Sequence, residues 1–243
     1  VNGHGTHLFA CDLSSGSTRW MHDIGGYVDN RDVGVSDGSV YYHVRGTALI
    51  ARHCSDGSVR WTQTRQSLLD SLDAHLGLVP GQGGIIAELS GFLCSPQALI
   101  ISNLEDSSMI ALSTADGEPL WSQSLKTNSR ANHKVVVDTI VFSTSVHRAS
   151  GSDPWRNAAV HVLTGEPVPG FGEIAMSSGC GPFTACPAGV LSQIWGFKID
   201  LQTRTGVSDT YIKAPCCQGN IISNGLVIKS VQACQCHAMY RGT

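Results

Sequence analysis

"LFACDLSSGSTRW" (residues 8–20), "LIARHCSDGSVRW" (49–61) and "MIALSTADGEPLW" (109–121) align without a gap. Each opens on alternating apolar residues, carries a glycine near its middle and ends on a tryptophan four residues after that glycine. Alternation with period two is the pattern of a half-buried strand. Ser15-Gly16, Asp56-Gly57 and Asp116-Gly117 each predict a tight turn, where glycine takes a positive φ without the clash that a Cβ would bring. The strand after the turn carries Trp20, Trp61 or Trp121, a large rigid body suited to packing between neighbouring sheets. Two weaker copies follow, "VHVLTGEPVPGF" (160–171) and "GFKIDLQTRTGVSDTY" (196–211). They keep Thr164-Gly165 and Thr205-Gly206 but place Pro169 and Thr210 where Trp is expected.

A further strand with its own turn signal lies upstream of most copies: "SDGSVYYHV" (36–44), "SPQALIIS" (95–102), "VVVDTIVFS" (135–143) and "PAGVLSQIW" (187–195). "SNGLVIKS" (223–230) repeats the pattern near the end of the chain. The unit is therefore about four strands over roughly 40–50 residues, a sheet that cannot bury both faces alone and stacks on its neighbours. This predicts an all-β fold, a β-propeller of four-stranded blades with five repeat periods visible, occupying residues 1–243 as one domain. The widest interval between turn glycines holds an insertion at about 66–93, around "QSLLDSLDAHLGLVPGQGG". Its first half has the pattern of a short helix and its second half that of a Gly-rich loop.

"HGTHLFA" (4–10) aligns with "RGTALIA" (45–51), and the chain closes on "YRGT" (240–243), so the two ends overlap by only a few residues of the repeat. The expectation is a window from a longer ring, or a ring completed by a partner chain, rather than a closed five-bladed one. The opening "VNGHGTH" lacks a methionine and a signal-peptide pattern, as a processed or truncated chain would.

Composition sets the functional bounds. Only 14% of residues are charged and the formal net charge is −3, with no basic stripe to meet nucleic acid or an anionic membrane. No apolar run is long enough to span a bilayer. Nine cysteines in 243 residues point to an oxidising, extracytoplasmic compartment (periplasmic, outer-membrane-associated or secreted), with some of them bridged.

The repeats resemble those of the pyrroloquinoline-quinone (PQQ) type β-propellers, a resemblance that implies a larger ring of seven or eight blades. Ala10-Cys11-Asp12, Ser15-Gly16 and Trp20 fit that pattern best, with Asp56-Gly57-Trp61 and Asp116-Gly117-Trp121 close behind. Such repeats occur in quinoprotein dehydrogenases and in cofactor-free scaffolds such as the outer-membrane assembly lipoprotein. The tail "APCCQG…SNGLV…CQC…RGT" also resembles the closing segment of a bacterial group of PQQ-like propeller proteins.

That Cys-rich tail supports three readings. In quinoprotein alcohol dehydrogenases a vicinal disulfide stacks on PQQ beside a bound calcium. The resemblance would give Cys216 and Cys217 that cofactor role, but no matching Asp, Glu or Arg motif accompanies them. Cys180, Cys234, Cys236 and His237 offer thiolate and imidazole ligands suited to zinc or copper. Cys234-x-Cys236-His237 is one residue short of the covalent haem motif. The reading favoured by geometry is a set of disulfide staples. Asn224-Gly225 is a strong two-residue hairpin turn, which places Cys216 opposite Ala233, next to Cys234. A one-residue bulge then brings Cys216 and Cys234 into register, and Cys180 and Cys186 bridge to each other or to this hairpin.

The ten histidines are scattered, and no nucleophile elbow or phosphate loop is present. Trp20, Trp61 and Trp121 are expected to pack between blades, and "ASGSDPWRNAA" (149–159) to form a loop with an exposed Trp155. The function expected is a non-catalytic scaffold or binding module without a cofactor, meeting protein partners through rim loops within a larger assembly. The alternative is a quinoprotein-type oxidoreductase that binds PQQ or a metal near the tail.

Overall fold

The structure is a computed structural model, and it describes residues 4–29, 32–76, 92–102, 108–124, 133–144, 157–171, 183–191, 198–207, 221–223 and 226–228. The chain divides into two compact units. The first comprises Val1–Leu104 with Ser108–Gln123, and the second Glu105–Ser107 with Ser124–Thr243.

In the first unit, β1 (His4–Cys11) and β2 (Thr18–Asp29) form a two-stranded sheet. A four-stranded antiparallel sheet follows, with β3 (Val33–Ser36), β4 (Ser39–Val44), β5 (Ala48–His53) and β6 (Val59–Gln63) in chain order. After α1 (Gln66–Leu76) comes a second meander of four, β7 (Phe92–Cys94), β8 (Ala98–Ser102), β9 (Ser108–Ser113) and β10 (Pro119–Ser124). Asp37 and Gly38 both take positive φ, 45° and 68°, as a two-residue hairpin between β3 and β4 requires.

Every residue of β4 is buried, because sheets cover both of its faces. Tyr42 and Val44 turn toward the β1–β2 side, where they meet Leu8, Ile24 and Ile50. Tyr41 turns the other way, into a core with Leu49, Leu99, Ile101, Ile110 and Leu112. Into that second core α1 inserts Leu68, Leu69 and Leu72, all buried. The helix thus occupies the first half of the insertion, as its pattern predicts, and the Gly-rich half lies outside the described residues.

The second unit opens on a three-stranded sheet, β11 (His133–Val137), β12 (Ile140–Thr144) and β13 (Asn157–His161). Its fourth strand is reduced to a single bridge, Val160 to Pro167, beside the bond from the Val168 N–H to the Ala159 carbonyl. Pro167 and Pro169 lack the N–H groups that a full ladder needs. Four strands follow in one sheet, β14 (Thr184–Cys186), β15 (Gly189–Leu191), β16 (Lys198–Asp200) and β17 (Thr205–Val207). The core here is aromatic: Phe142 meets Phe171 and Phe183 edge-on, at centroid distances of 5.8 and 5.9 Å. The last described pair, β18 (Ile221–Ser223) and β19 (Leu226–Ile228), places Ser223 opposite Leu226 and Ile221 opposite Ile228. The expected turn residues Asn224 and Gly225 lie outside the described residues.

The turn reading needs one correction. Gly16, Gly57, Gly117 and Gly165 take positive φ as expected, between 70° and 76°. In the fifth copy the left-handed residue is Arg204, at φ 55°, while Gly206 lies within β17 opposite Ile199. The carboxylate of Asp200 sets this frame by accepting the N–H groups of Gln202 and Thr203, just as Asp12 accepts those of Ser14 and Ser15. Arg204 therefore stands where Gly16 stands, two residues earlier than the Thr-Gly signal implies.

Candidate functional site: sheet junctions and the α1 insertion

The repeat Trp residues form a lock that recurs between sheets. The Trp20 indole N–H donates to the Cys54 carbonyl at 2.9 Å, and its ring covers Gly57 so closely that a Cβ there would lie 2.7 Å from the ring. One sheet further on, the Trp61 N–H donates to the Thr114 carbonyl at 2.9 Å and the ring covers Gly117 at the same spacing. In both cases the acceptor lies three residues before the glycine that seats the ring. The Gly in the motif thus serves twice, permitting the left-handed turn and leaving room for the neighbour's indole. The inter-sheet packing expected of Trp20 and Trp61 is what the structure has.

The junction of the fourth and fifth copies inverts this arrangement. Pro169 stands where the Trp would be, and Arg204 stands where the seat glycine would be. Arg204 reaches back, donating from Nη1 to the Pro169 carbonyl at 2.7 Å and lying over the Phe171 ring at 5.7 Å. Its stem passes Gly170 (φ 90°), where a Cβ would come within 2.9 Å of the Arg204 Cδ. The bulky group now comes from the following sheet and the glycine from the preceding one.

Charged groups gather around the α1 insertion in the first unit. His43, fully buried on the α1 side of β4, has neither ring nitrogen hydrogen-bonded. Its Nε2 lies 3.5 Å from Asp73 Oδ1 on α1. Burial pushes the His43 imidazole down to about 4; Asp73 opposes that shift and the Arg45 guanidinium adds to it. Arg45 in turn holds the buried carboxylate of Asp32 at 3.2 Å. Where β6 meets α1, Arg65 donates to both oxygens of Glu118, at 2.8 and 2.7 Å, and Gln63 donates to Oε1 at 3.0 Å. The Arg65 bond is the main cause that holds the Glu118 carboxyl below its usual range. Outward, α1 presents Gln66, Ser67 and Asp70 to solvent, with Gln66 donating to Asp70 at 2.7 Å.

Of the residues singled out in the Cys-rich tail, only Cys186 is among those described. It is a half-buried free thiol at the end of β14, opposite Gly189, beside Asp138 and Leu201 in an open groove of about 590 Å³. Cys180, Cys216, Cys217, Cys234, Cys236 and His237 lie outside the described residues. Cys11, Cys54 and Cys94 are also free thiols. Cys94 packs under Gly34, where a Cβ would overlap its Sγ, and burial pushes its thiol up to about 12. Among the described residues no three His, Cys, Asp or Glu side chains gather as a metal site, and no helix is long and apolar enough to cross a membrane.

The sequence reading missed His43–Asp73 and the Arg204 lock. A histidine at a core position of "SVYYHV" was the visible signal for the first. The four-residue step from Asp200 to Arg204, matching Asp12 to Gly16, was the signal for the second.

Antiparallel four-stranded sheets joined by this Trp-on-glycine lock are blades of the PQQ-type β-propeller class. The family described as outer membrane protein assembly factor BamB matches residues 4–167, and the chain belongs to that family. The crystal structure of BamB from Moraxella catarrhalis is similar at 17% identity, over 83% of this chain and 57% of that one, with a TM-score of 0.47. The computationally designed Ika8 protein is similar at 11% identity, over 91% and 61%, with a TM-score of 0.55. The chain therefore spans 57% and 61% of the length of these two structures. Comparison with curated protein sequences gives no match.

Proposed function

We propose that the chain is a non-catalytic scaffold, a propeller-type binding module of an extracytoplasmic assembly at the outer membrane. The observation that carries this reading is how the motif residues are used. Trp20 and Trp61 are committed to neighbouring sheets, and the carboxylates of Asp12, Asp56, Asp116 and Asp200 accept N–H groups of their own turns. The Ser14 hydroxyl and the turn N–H groups hold the Asp12 carboxyl low, and turn N–H groups hold those of Asp56, Asp116 and Asp200 low, which keeps each in the ionised form that accepts best. Family membership supports the assembly role. The parts left for recognition are rim loops and the polar outer face of α1, which suit a protein partner. Cys180, Cys216 and Cys234 belong to this proposal as disulfide staples, without cofactor or metal, whereas Cys186, expected to bridge with them, is a free thiol.

The test is affinity isolation of the tagged full polypeptide from detergent-solubilised envelopes of its own cells, with Asp70→Arg as the α1-face variant. The expected result is co-isolation of an integral outer-membrane protein, weakened by D70R. Isolation of the chain alone, together with PQQ-dependent dye reduction, contradicts the proposal and favours the quinoprotein alternative.

A further inference from the structure

His43 sits on the α1 side of β4 as a fully buried imidazole with neither ring nitrogen hydrogen-bonded. Burial without partners already costs a neutral ring, and it costs a charged one far more. The charged groups that act on the ring come from two sides. Asp73 of α1 places Oδ1 3.5 Å from Nε2, longer than a hydrogen bond, and Oδ2 lies beside the β4–β5 turn, 3.9 Å from a Cβ on Gly46. Arg45 of that turn is held in place, because Nε and Nη2 both donate to the carboxylate of Asp32, itself buried. The other elements of this core bring apolar side chains, Leu49 from β5, Leu99 from β8 and Ile110 from β9. His53 of β5 is exposed at the opposite end of the ladder, paired with Ser39, and Asp70 of α1 turns to solvent with Gln66.

The helix is attached differently along its length. Only Thr64 and Arg65 join it to the end of β6, and the Arg65 carbonyl accepts the N–H groups of Leu68 and Leu69 at 3.0 and 3.1 Å. The Arg65 side chain ties this end to Glu118, the residue before β10. Leu68, Leu69 and Leu72 then anchor the first two turns in the core. At Asp73, in the next turn, the contact is a carboxylate against an unpartnered ring rather than an apolar anchor. One end of α1 is thus a fixed pivot, and the contact further along depends on the charge of His43.

We propose that α1 is an acid-released flap, closed over His43 while the ring is neutral and lifted at its Asp73 end when the ring takes a proton, turning on the Thr64–Arg65 link while the sheets stay folded. Lifting gives the imidazolium the water that burial denies it, which one carboxylate beyond hydrogen-bond distance does not replace. With α1 closed, burial holds the ring down at about 4, against the pull of Asp73 and with the help of Arg45. With α1 open, the ordinary value of 6.5 returns. The closed form is therefore fully favoured above about pH 6.5 and loses ground from there down to about 4. Between pH 7.5 and 5 the open fraction should rise about 30-fold. The flap concerns the helix and the ring beneath it, and stands whether or not the outer face of α1 meets a partner.

The test is hydrogen exchange of the full polypeptide by mass spectrometry, in steps from pH 7.5 to 4 and corrected for intrinsic exchange rates. Protection of the α1 amides should fall about 30-fold by pH 5, starting near pH 6.5 and reversing on return to neutral pH, with β4 and β8 losing less. His43→Gln should remove the fall. Asp73→Asn should keep it, because the proton goes to His43 and not to the carboxylate. If the His43 variant fails to fold, the onset in the parent and the Asp73→Asn result decide the matter. Unchanged α1 protection, an onset only below pH 5, or an equal loss in β4 and β8 overturns the proposal. So does a fall that survives in folded His43→Gln, or one that vanishes in Asp73→Asn while α1 is still protected at pH 7.5.

Discussion

The two kinds of junction in this molecule solve one problem with opposite parts. Between the sheets of the first unit, a rigid indole from the preceding sheet lies on a glycine of the next and donates one hydrogen bond. Between the fourth and fifth copies, a flexible arginine from the following sheet reaches back over a glycine and an aromatic ring. What both preserve is a large side chain over a glycine with a bond to a backbone carbonyl. What differs is rigidity. An indole has two torsions and fills its place, whereas an arginine has four, a solvated head, and more freedom to lose on docking. The first lock should therefore tolerate less intrusion than the second.

The largest effect should come from testing that directly. Gly117→Ala adds a Cβ at a left-handed residue and drives it into the Trp61 ring, at a cost of about 3 kcal/mol in unfolding free energy. Gly170→Ala meets only the Arg204 stem, which can swing away, so about 1–2 kcal/mol is expected from its backbone conformation alone. Urea unfolding of the two variants compares the seats, and equal losses would mean that rigidity is not the distinction.

The second contrast is between the units' responses to acid. His43 has a folded value of about 4, below its ordinary 6.5, so as pH falls the unfolded chain takes up a proton first. Stability is complete above about pH 6.5, falls through the window down to about 4 and then levels, a loss of up to about 3 kcal/mol. Protonation also has a local partner in Asp73 and an opponent in Arg45, which fixes the effect beneath α1. Among the described residues the second unit buries no ionisable side chain. Hydrogen exchange at pH 7.5 and 5 should show β4, β8 and α1 losing protection before β12 and β15. His43→Gln should remove that difference.

Smaller effects separate the hydrogen bonds within the locks. Trp61→Phe keeps a ring over Gly117 but gives up the bond to the Thr114 carbonyl, at about 1 kcal/mol. Arg204→Met keeps a stem over Gly170 and loses an exposed contact to Phe171 and one hydrogen bond, at about 1 kcal/mol or less. Thermal midpoints at low and high salt tell them apart, because only the arginine contact should weaken with salt.

Much of this was legible in the sequence, for reasons that particular residues make clear. Period-two alternation around Ser-Gly and Asp-Gly marked the hairpins, because those turns admit few residue types. The tryptophan at a fixed step after glycine marked the junctions, and Trp20 and Trp61 occupy them. Arg204 escaped because arginine has no turn signature, so Gly206 drew the reading two residues too far. His43–Asp73 escaped because β4 and α1 meet only through tertiary packing, and neither local pattern encodes the other.

The central claim is that the motif glycine is a seat for the neighbouring sheet's indole. A double-mutant cycle in urea, with Gly117→Ala, Trp61→Ala and both together, tests it most directly. If the indole occupies the seat, Gly117→Ala costs about 3 kcal/mol in the parent and only about 1 kcal/mol once the ring is gone, a coupling of about 2 kcal/mol. Equal costs in the two backgrounds would mean that Gly117 serves its own turn alone, and the account of the junctions would fall with it.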